Sequence, residues 1–360
     1  MSSKLRNIVV GSLLSAAVVT PAFSSKATFT EIPVYPDSFD YHRIAVNDNG
    51  AVAFSTATVN AKWSDGTRTL YKWSAEAGVT ALGEKEGGAG YPHISSDGNV
   101  IAFTRVYEGG YQDHTYVYTG TTLRFVNRSE IIADTLSSDG TVLGGHVMNA
   151  AGTFNLSNNT VTLFEDPTDN RDYLTNVLEI SASGDTMLVQ GVDESNHVNK
   201  VYLVSSSGAS QLVSDHLTLG QNQPRMSGNG QKVIYKSHNW WSPSDENICT
   251  EQQTCLFSWD KSTNERTELD YLRYYSVNVD GSMIVGFEEY KYPPKVWDAS
   301  QGTRYLIDAL GSIGLDLTGW SDFQSLTISD DGTKIAGFAD NSAGQTRAFL
   351  IDIIPECPIF

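Results

Sequence analysis

The chain has 360 residues, 24 Lys and Arg against 42 Asp and Glu, and a formal charge of −18 at pH 7. A surface this acidic repels phosphate backbones and anionic lipid, which argues against nucleic acid or a membrane surface as partner. Three cysteines in so long a chain mean that the fold must rest on a buried core and not on disulfides.

At the amino terminus, Lys4 and Arg6 precede an apolar run of 12 residues, Ile8 to Val19, and small residues follow around Ala22 and Ser24. That order is the pattern of a secretory signal peptide, and the run falls short of the about 20 residues a spanning helix needs. We expect residues 1–24 to be removed by cleavage after Ser24, with Ala22 as the alternative. The mature chain, 25–360, is then expected in the periplasm or outside the cell, not inserted in a membrane.

The segment TFTEIPV, Thr28 to Val34, has strand composition but no hairpin of its own. After it, one unit recurs seven times: AVNDNGAVAF, ISSDGNVIAF, LSSDGTVLGG, ISASGDTMLV, MSGNGQKVIY, VNVDGSMIVG and ISDDGTKIAG, hinged on Gly50, Gly98, Gly140, Gly184, Gly230, Gly281 and Gly332. Two strand-length runs around an Asx-Gly or Ser-Gly turn make a hairpin, because Gly accepts the positive φ that such turns require. Each hairpin is followed by a third strand carrying an aromatic residue (Trp73, Tyr118, Phe154, Tyr202, Trp259, Trp297, Phe349), usually turned into a fourth strand. Four strands in each 42 to 51 residues is the period of a propeller blade. The predicted fold is therefore all-β: a single seven-bladed β-propeller of four-stranded antiparallel blades. The seventh copy stops after its third strand, RAFLIDI, so the amino-terminal strand 28–34 is expected to pair beside residues 347–353 and close the ring.

Residues 305–353 carry LG, GLDLTGW, ISDDG…IAG and GQTRAF in that order. This stretch resembles the HAF-type extracellular repeat of secreted bacterial proteins. The resemblance implies a secreted repeat protein and brings no catalytic residue with it; the other five blades share only the hairpin and the aromatic strand.

Local signals for chemistry are few. The Ser-x-Asp-Gly turns lack the alternating oxygen ligands of a calcium loop, so turn chemistry is the expected role of their Asp residues. The seven histidines show no metal-ligand spacing, and no nucleophile elbow, Walker loop or dinucleotide glycine loop occurs. Neither metal nor cofactor is expected.

Geometry supplies the remaining candidates. Residues five to eight positions before each hinge glycine should lie toward one mouth of the central channel: His42, Arg43, Tyr91, His93, Asp134, Arg225, Tyr274, Tyr275 and Gln324. Loops on that face add Tyr107, Tyr111, Trp240, Trp241, Tyr290, Tyr292 and Trp320. Such aromatics can stack on sugar rings or grip a protein. Trp240 and Trp241 stand out, because adjacent strand residues point to opposite faces and cannot both reach a core. The preferred reading is a monomeric binding module that recognises a polysaccharide or an envelope or extracellular protein. Two alternatives remain: a structural scaffold, and a lyase on acidic polysaccharide. In the lyase, His93 or Tyr274 would abstract a proton and Arg225 would neutralise the substrate carboxylate. In the longest insertion Cys249 and Cys255 bracket TEQQT, so a Cys249–Cys255 disulfide is expected with Cys357 free.

Overall fold

The computed structural model describes residues 25–33, 43–57, 67–86, 88–89, 92–106, 114–120, 122–127, 130–147, 150–164, 172–193, 199–214, 223–237, 255–269, 272–288 and 293–355. These residues form seven antiparallel sheets arranged as the blades of a propeller. The expected fold class is thus observed, strand by strand. In blade 3, for example, Ile132–Leu136 lies innermost, followed outward by Val142–Val147, Ala150–Asn155 and Thr160–Leu163.

Each hairpin turn is built from its own side chains. All seven hinge glycines adopt φ between +66° and +75°, a region closed to most L side chains. Three residues before each glycine sits a buried Ser or Asn: Asn47, Ser95, Ser137, Ser181, Ser227, Asn278 and Ser329. In blade 2 the Ser95 hydroxyl donates to Asp97 Oδ1 at 2.6 Å and accepts the Val100 N–H at 2.9 Å, while Asn99 N–H also donates to Asp97. The Ser95 hydroxyl, then the Asn99 N–H, holds the Asp97 carboxyl below its ordinary range. The turn aspartates are therefore spent on the turn backbone.

Sheets stack face to face, and the aromatic residues of the third strands fill the gaps; Phe154, Tyr202, Trp259 and Phe349 are almost wholly buried. The ring closes as expected. Ser25–Ile32 pairs antiparallel with Thr346–Pro355, from Ser25 opposite Pro355 to Ile32 opposite Ala348, and so supplies the fourth strand of blade 7. Phe29 lies 4.5 Å from Trp320 and 5.3 Å from Phe349 between ring centres, and Phe349 meets Phe323 edge-on at 5.6 Å. Arg347 Nε donates to Glu31 Oε1 at 2.9 Å across the same seam. The only helix among the described residues, Leu306–Ser312, follows the fourth strand of blade 6 and buries Leu306 and Leu310.

Most irregular pairings fall on the innermost strands. Register shifts break the inner hairpins of blades 3, 4, 6 and 7. A bulge inserts one residue and re-aims the side chains beside it, so these shifts decide what faces the channel.

Candidate functional site in the central channel

The innermost strands run from the loop face to the hairpin turns, so counting back from each hinge glycine compares similar depths in every blade. Five residues before the glycine stand Ala45, His93, Thr135, Glu179, Arg225, Ser276 and Thr327. In blade 3 a bulge between Ala133 and Thr135 alters that pattern: Thr135 is buried, whereas Asp134 is half-exposed and accepts Asn176 Nδ2 of blade 4 at 2.8 Å. His146 Nδ1 lies 3.8 Å from the same carboxylate oxygen.

Glu179 of blade 4 ties to blade 5. Its Oε1 accepts Arg225 Nη1 at 2.9 Å, and its Oε2 accepts the Met226 backbone N–H. Burial raises the Glu179 pKa despite this pairing, as expected where a carboxylate leaves water. Tyr275 of blade 6 donates its hydroxyl to the Ile234 carbonyl at 3.1 Å, and burial pushes its phenol pKa up. Ser276 Oγ and Thr327 Oγ1 stand 3.5 Å apart on blades 6 and 7.

His93 is the unusual member of the wall. It hydrogen-bonds the Asp134 backbone, while its Nε2 is buried without a partner. Burial first, and then the positive charge of Arg225, lower its pKa to about 4, so the ring is neutral at pH 7. Arg225 lies three blades away, the greatest separation in a ring of seven, so the two residues act on each other across the axis. A second orphan acceptor, Asn176 Oδ1, is likewise buried. Buried polar atoms without partners are rare in folded chains and mark a place to look for a ligand or solvent.

At the hairpin end the channel is drawn shut. Ser96 N–H donates to Ser138 O, Ala182 N–H to Gly228 O, Asn229 N–H to Val279 O and Val279 N–H to Asp330 O, linking neighbouring turns. Asp331 N–H donates to Asp48 Oδ1 at 2.8 Å between blades 7 and 1. Ser138 Oγ then reaches across to Asp330 Oδ2 at 2.5 Å. A ligand in the channel must enter from the loop face.

The structure thus brings His93, Asp134 and Arg225 into one wall, as their spacing suggested. It corrects two other expectations. Tyr275 is spent on its bond to Ile234, and Trp320 covers the core between blades 6 and 7 against Phe29, so neither is a mouth aromatic. Gln324 sits between two register shifts of the innermost strand of blade 7. Arg43, Tyr274 and Cys255 are placed as backbone in their expected strands. Residues His42, Tyr91, Tyr107, Tyr111, Trp240, Trp241, Cys249, Tyr290, Tyr292 and Cys357 lie outside the described residues. Sequence reasoning missed Glu179 and Asn176; strict counting from Gly184 reaches Glu179, while Asn176 depends on bulges that no spacing reveals. Among the described residues no group of three His, Cys, Asp or Glu could hold a metal ion.

No protein-family model and no curated protein matches this chain. Solved structures do. The β-propeller domain of the Trilobed protease from Pyrococcus furiosus, which has an open velcro topology, matches with a TM-score of 0.55 and 13% identity over 88% of this chain and 95% of that one. The propeller domain of Myceliophteria thermophila Cps50 (Swd1) matches at 0.52 and 10%, over 92% and 100% of the two chains. A prolyl endopeptidase matches at 0.55 and 12% over 93% of this chain, which spans about half, 51%, of that enzyme's length. At such identities the likeness shows the propeller fold alone.

Proposed function

We propose that this chain is an exported β-propeller that binds a polysaccharide or a protein of the cell envelope or its surroundings through its loop face and channel. One observation carries the reading: a channel wall of polar groups from six blades, two of its acceptors buried and unpartnered, shut at the hairpin end and so reachable only from the loops. The acidic charge suits a chain that stays dissolved and avoids nucleic acid. On the loops, Trp240, Trp241, Tyr107, Tyr111, Tyr290 and Tyr292 would supply stacking surface, and a Cys249–Cys255 bridge would hold the tryptophan segment still, lowering the ordering cost of binding. The signal-peptide pattern of residues 1–24 supports export.

The lyase alternative has one observation in its favour, a neutral His93 imidazole with a free Nε2. Against it, Arg225 already donates to Glu179, and Asp134 beside His93 opposes an anionic substrate.

The test is a binding screen of the mature chain against secreted polysaccharides and envelope extracts, with uronate absorbance followed in the same samples. Saturable binding without new absorbance supports the reading. Absorbance lost in His93→Ala would replace binding by catalysis, and absence of any binding would leave a scaffold.

A further inference from the structure

We infer that the channel holds the end of a neutral saccharide, its hydroxyls donating to His93 Nε2 and Asn176 Oδ1. The inference rests on the binding reading above and narrows it to one ligand chemistry and one point of entry.

The argument is one of what is left unsatisfied. Glu179 and Arg225 neutralise each other at 2.9 Å, so neither demands a counter-charge from a ligand. An anion would meet Asp134 and a guanidinium already engaged. A cation at His93 would meet the Arg225 charge, which outweighs that of Asp134 at the ring. A metal ion finds no group of three ligands among the described residues. Unmet are two neutral acceptors, one on each side of Asp134: His93 joins its backbone and Asn176 its carboxylate. Ser276 and Thr327 across the channel offer hydroxyls that donate or accept. Polyhydroxyl groups, which carry both donors and acceptors without charge, match such a wall.

The shut hairpin end decides the mode of entry. With Ser138 bonded to Asp330 across the axis, a chain cannot thread the ring, so a terminal residue enters and the rest of the polymer lies on the loop face. A site that hydrogen-bonds hydroxyls rejects analogues lacking them, because its own buried groups are then left unpaired.

The test titrates the mature chain, by calorimetry, with short neutral oligosaccharides of glucose, galactose, mannose and N-acetylglucosamine, and with the same series blocked at its terminal residue. Binding of at least one unblocked series is expected, weakened about tenfold or more by His93→Phe and by blocking the terminus. His93→Gln, which restores an acceptor, should recover most of the loss. If the phenylalanine variant does not fold, the 15N shift of His93 Nε2 in the unaltered chain provides the readout, and it should move on adding sugar. Saccharide binding indifferent to these variants and to blocking, with an unmoved His93 signal, overturns the channel site but leaves the loop-face reading intact. Binding of charged polysaccharide or protein alone overturns the neutral-sugar assignment. No binding of any candidate overturns both.

Discussion

Ser138 and Asp330 are 192 residues apart in sequence, yet Ser138 Oγ donates to Asp330 Oδ2 at 2.5 Å. They occupy equivalent turn positions in blades 3 and 7, three blades apart, so this single bond measures how tightly the turns converge on the axis. A hydroxyl donating to a carboxylate is stronger than a neutral pair. Ser138→Ala should lower the unfolding free energy by about 1–2 kcal/mol, read as a shift in urea midpoint at constant slope. Ser262, whose hydroxyl donates to Asp260 in an exposed outer turn, serves as the control; Ser262→Ala should change stability by about 0.5 kcal/mol or less. Equal losses at the two sites would mean that the axial bond adds nothing to the ring.

The closure seam concentrates two kinds of interaction on one strand. Phe29 is gripped between Trp320 and Phe349, and the buried Arg347 donates to Glu31. Deleting residues 25–33 exposes the Thr346–Pro355 edge and the aromatic stack together, and should cost several kcal/mol, a large share of the about 5–15 that holds a typical domain. Trp320→Ala, which removes only the outer ring of the stack, should cost about 2–3 kcal/mol, less than a fully buried Trp because its surface is partly exposed. Thermal unfolding of the deletion at the melting temperature of the intact chain would show that the ring does not depend on this seam.

Much of this fold could be read from spacing, because each blade states its turn chemistry openly. The buried Ser or Asn three residues before each glycine, the glycine itself and the aromatic third strand recur wherever a hairpin must turn at positive φ. Closure followed from the missing fourth strand, although pairing begins at Ser25, three residues before the expected Thr28, because Lys26 and Ser25 find partners in Ile354 and Pro355. The all-β reading does not anticipate the helix Leu306–Ser312: its two buried residues, Leu306 and Leu310, have helical spacing, but the run is too short for the pattern to declare itself. The channel wall was only half legible. His93, Asp134 and Arg225 emerged from counting, yet Asn176 and the outward turn of Asp134 depend on bulges set by tertiary packing. Tyr275 and Trp320 show the reverse error, since an aromatic residue at the right depth serves a core as readily as a mouth.

Asp48 sits where three carboxylates meet. Burial raises its pKa, and the charges of Asp330 and Asp331 add to the effect although the Asp331 N–H opposes it. A carboxyl whose folded pKa is raised binds its proton more tightly when folded, so stability falls as pH rises above the unfolded value of 3.8. At pH 7 the charge therefore costs stability. Asp48→Asn keeps an oxygen to accept the Asp331 N–H and removes the charge; its melting temperature should exceed that of the parent at pH 7 by about one or two degrees. The gain should shrink with added salt, since the group is partly exposed, and vanish as pH falls well below 3.8, where the carboxyl is protonated in the folded and unfolded chain alike. A lower melting temperature at pH 7 would show that the carboxylate is needed for the turn bond and that repulsion is not the controlling effect.

His93 gives the opposite pH signature. Its folded pKa, lowered from 6.5 to about 4 by burial and by Arg225, means that the unfolded chain takes up a proton in that window while the folded chain does not. The stability tied to the neutral ring is fully present above pH 6.5 and is lost as pH falls toward 4, by up to about 3 kcal/mol. Glu179, whose pKa is raised, works the other way, because protonation on acidification relieves its burial. Arg225 and Asp134 also act on the ring, so the His93 contribution has to be isolated by difference. His93→Gln removes the titration and keeps a polar group. The parent should lose about 2–3 kcal/mol more than this variant between pH 7 and pH 4.5, and the parent imidazole should remain neutral by NMR down to about pH 5. An imidazole that titrates near 6.5 would mean that water reaches Nε2 freely. In that case burial would not govern the ring, and the stability tied to His93 would not follow pH in this window.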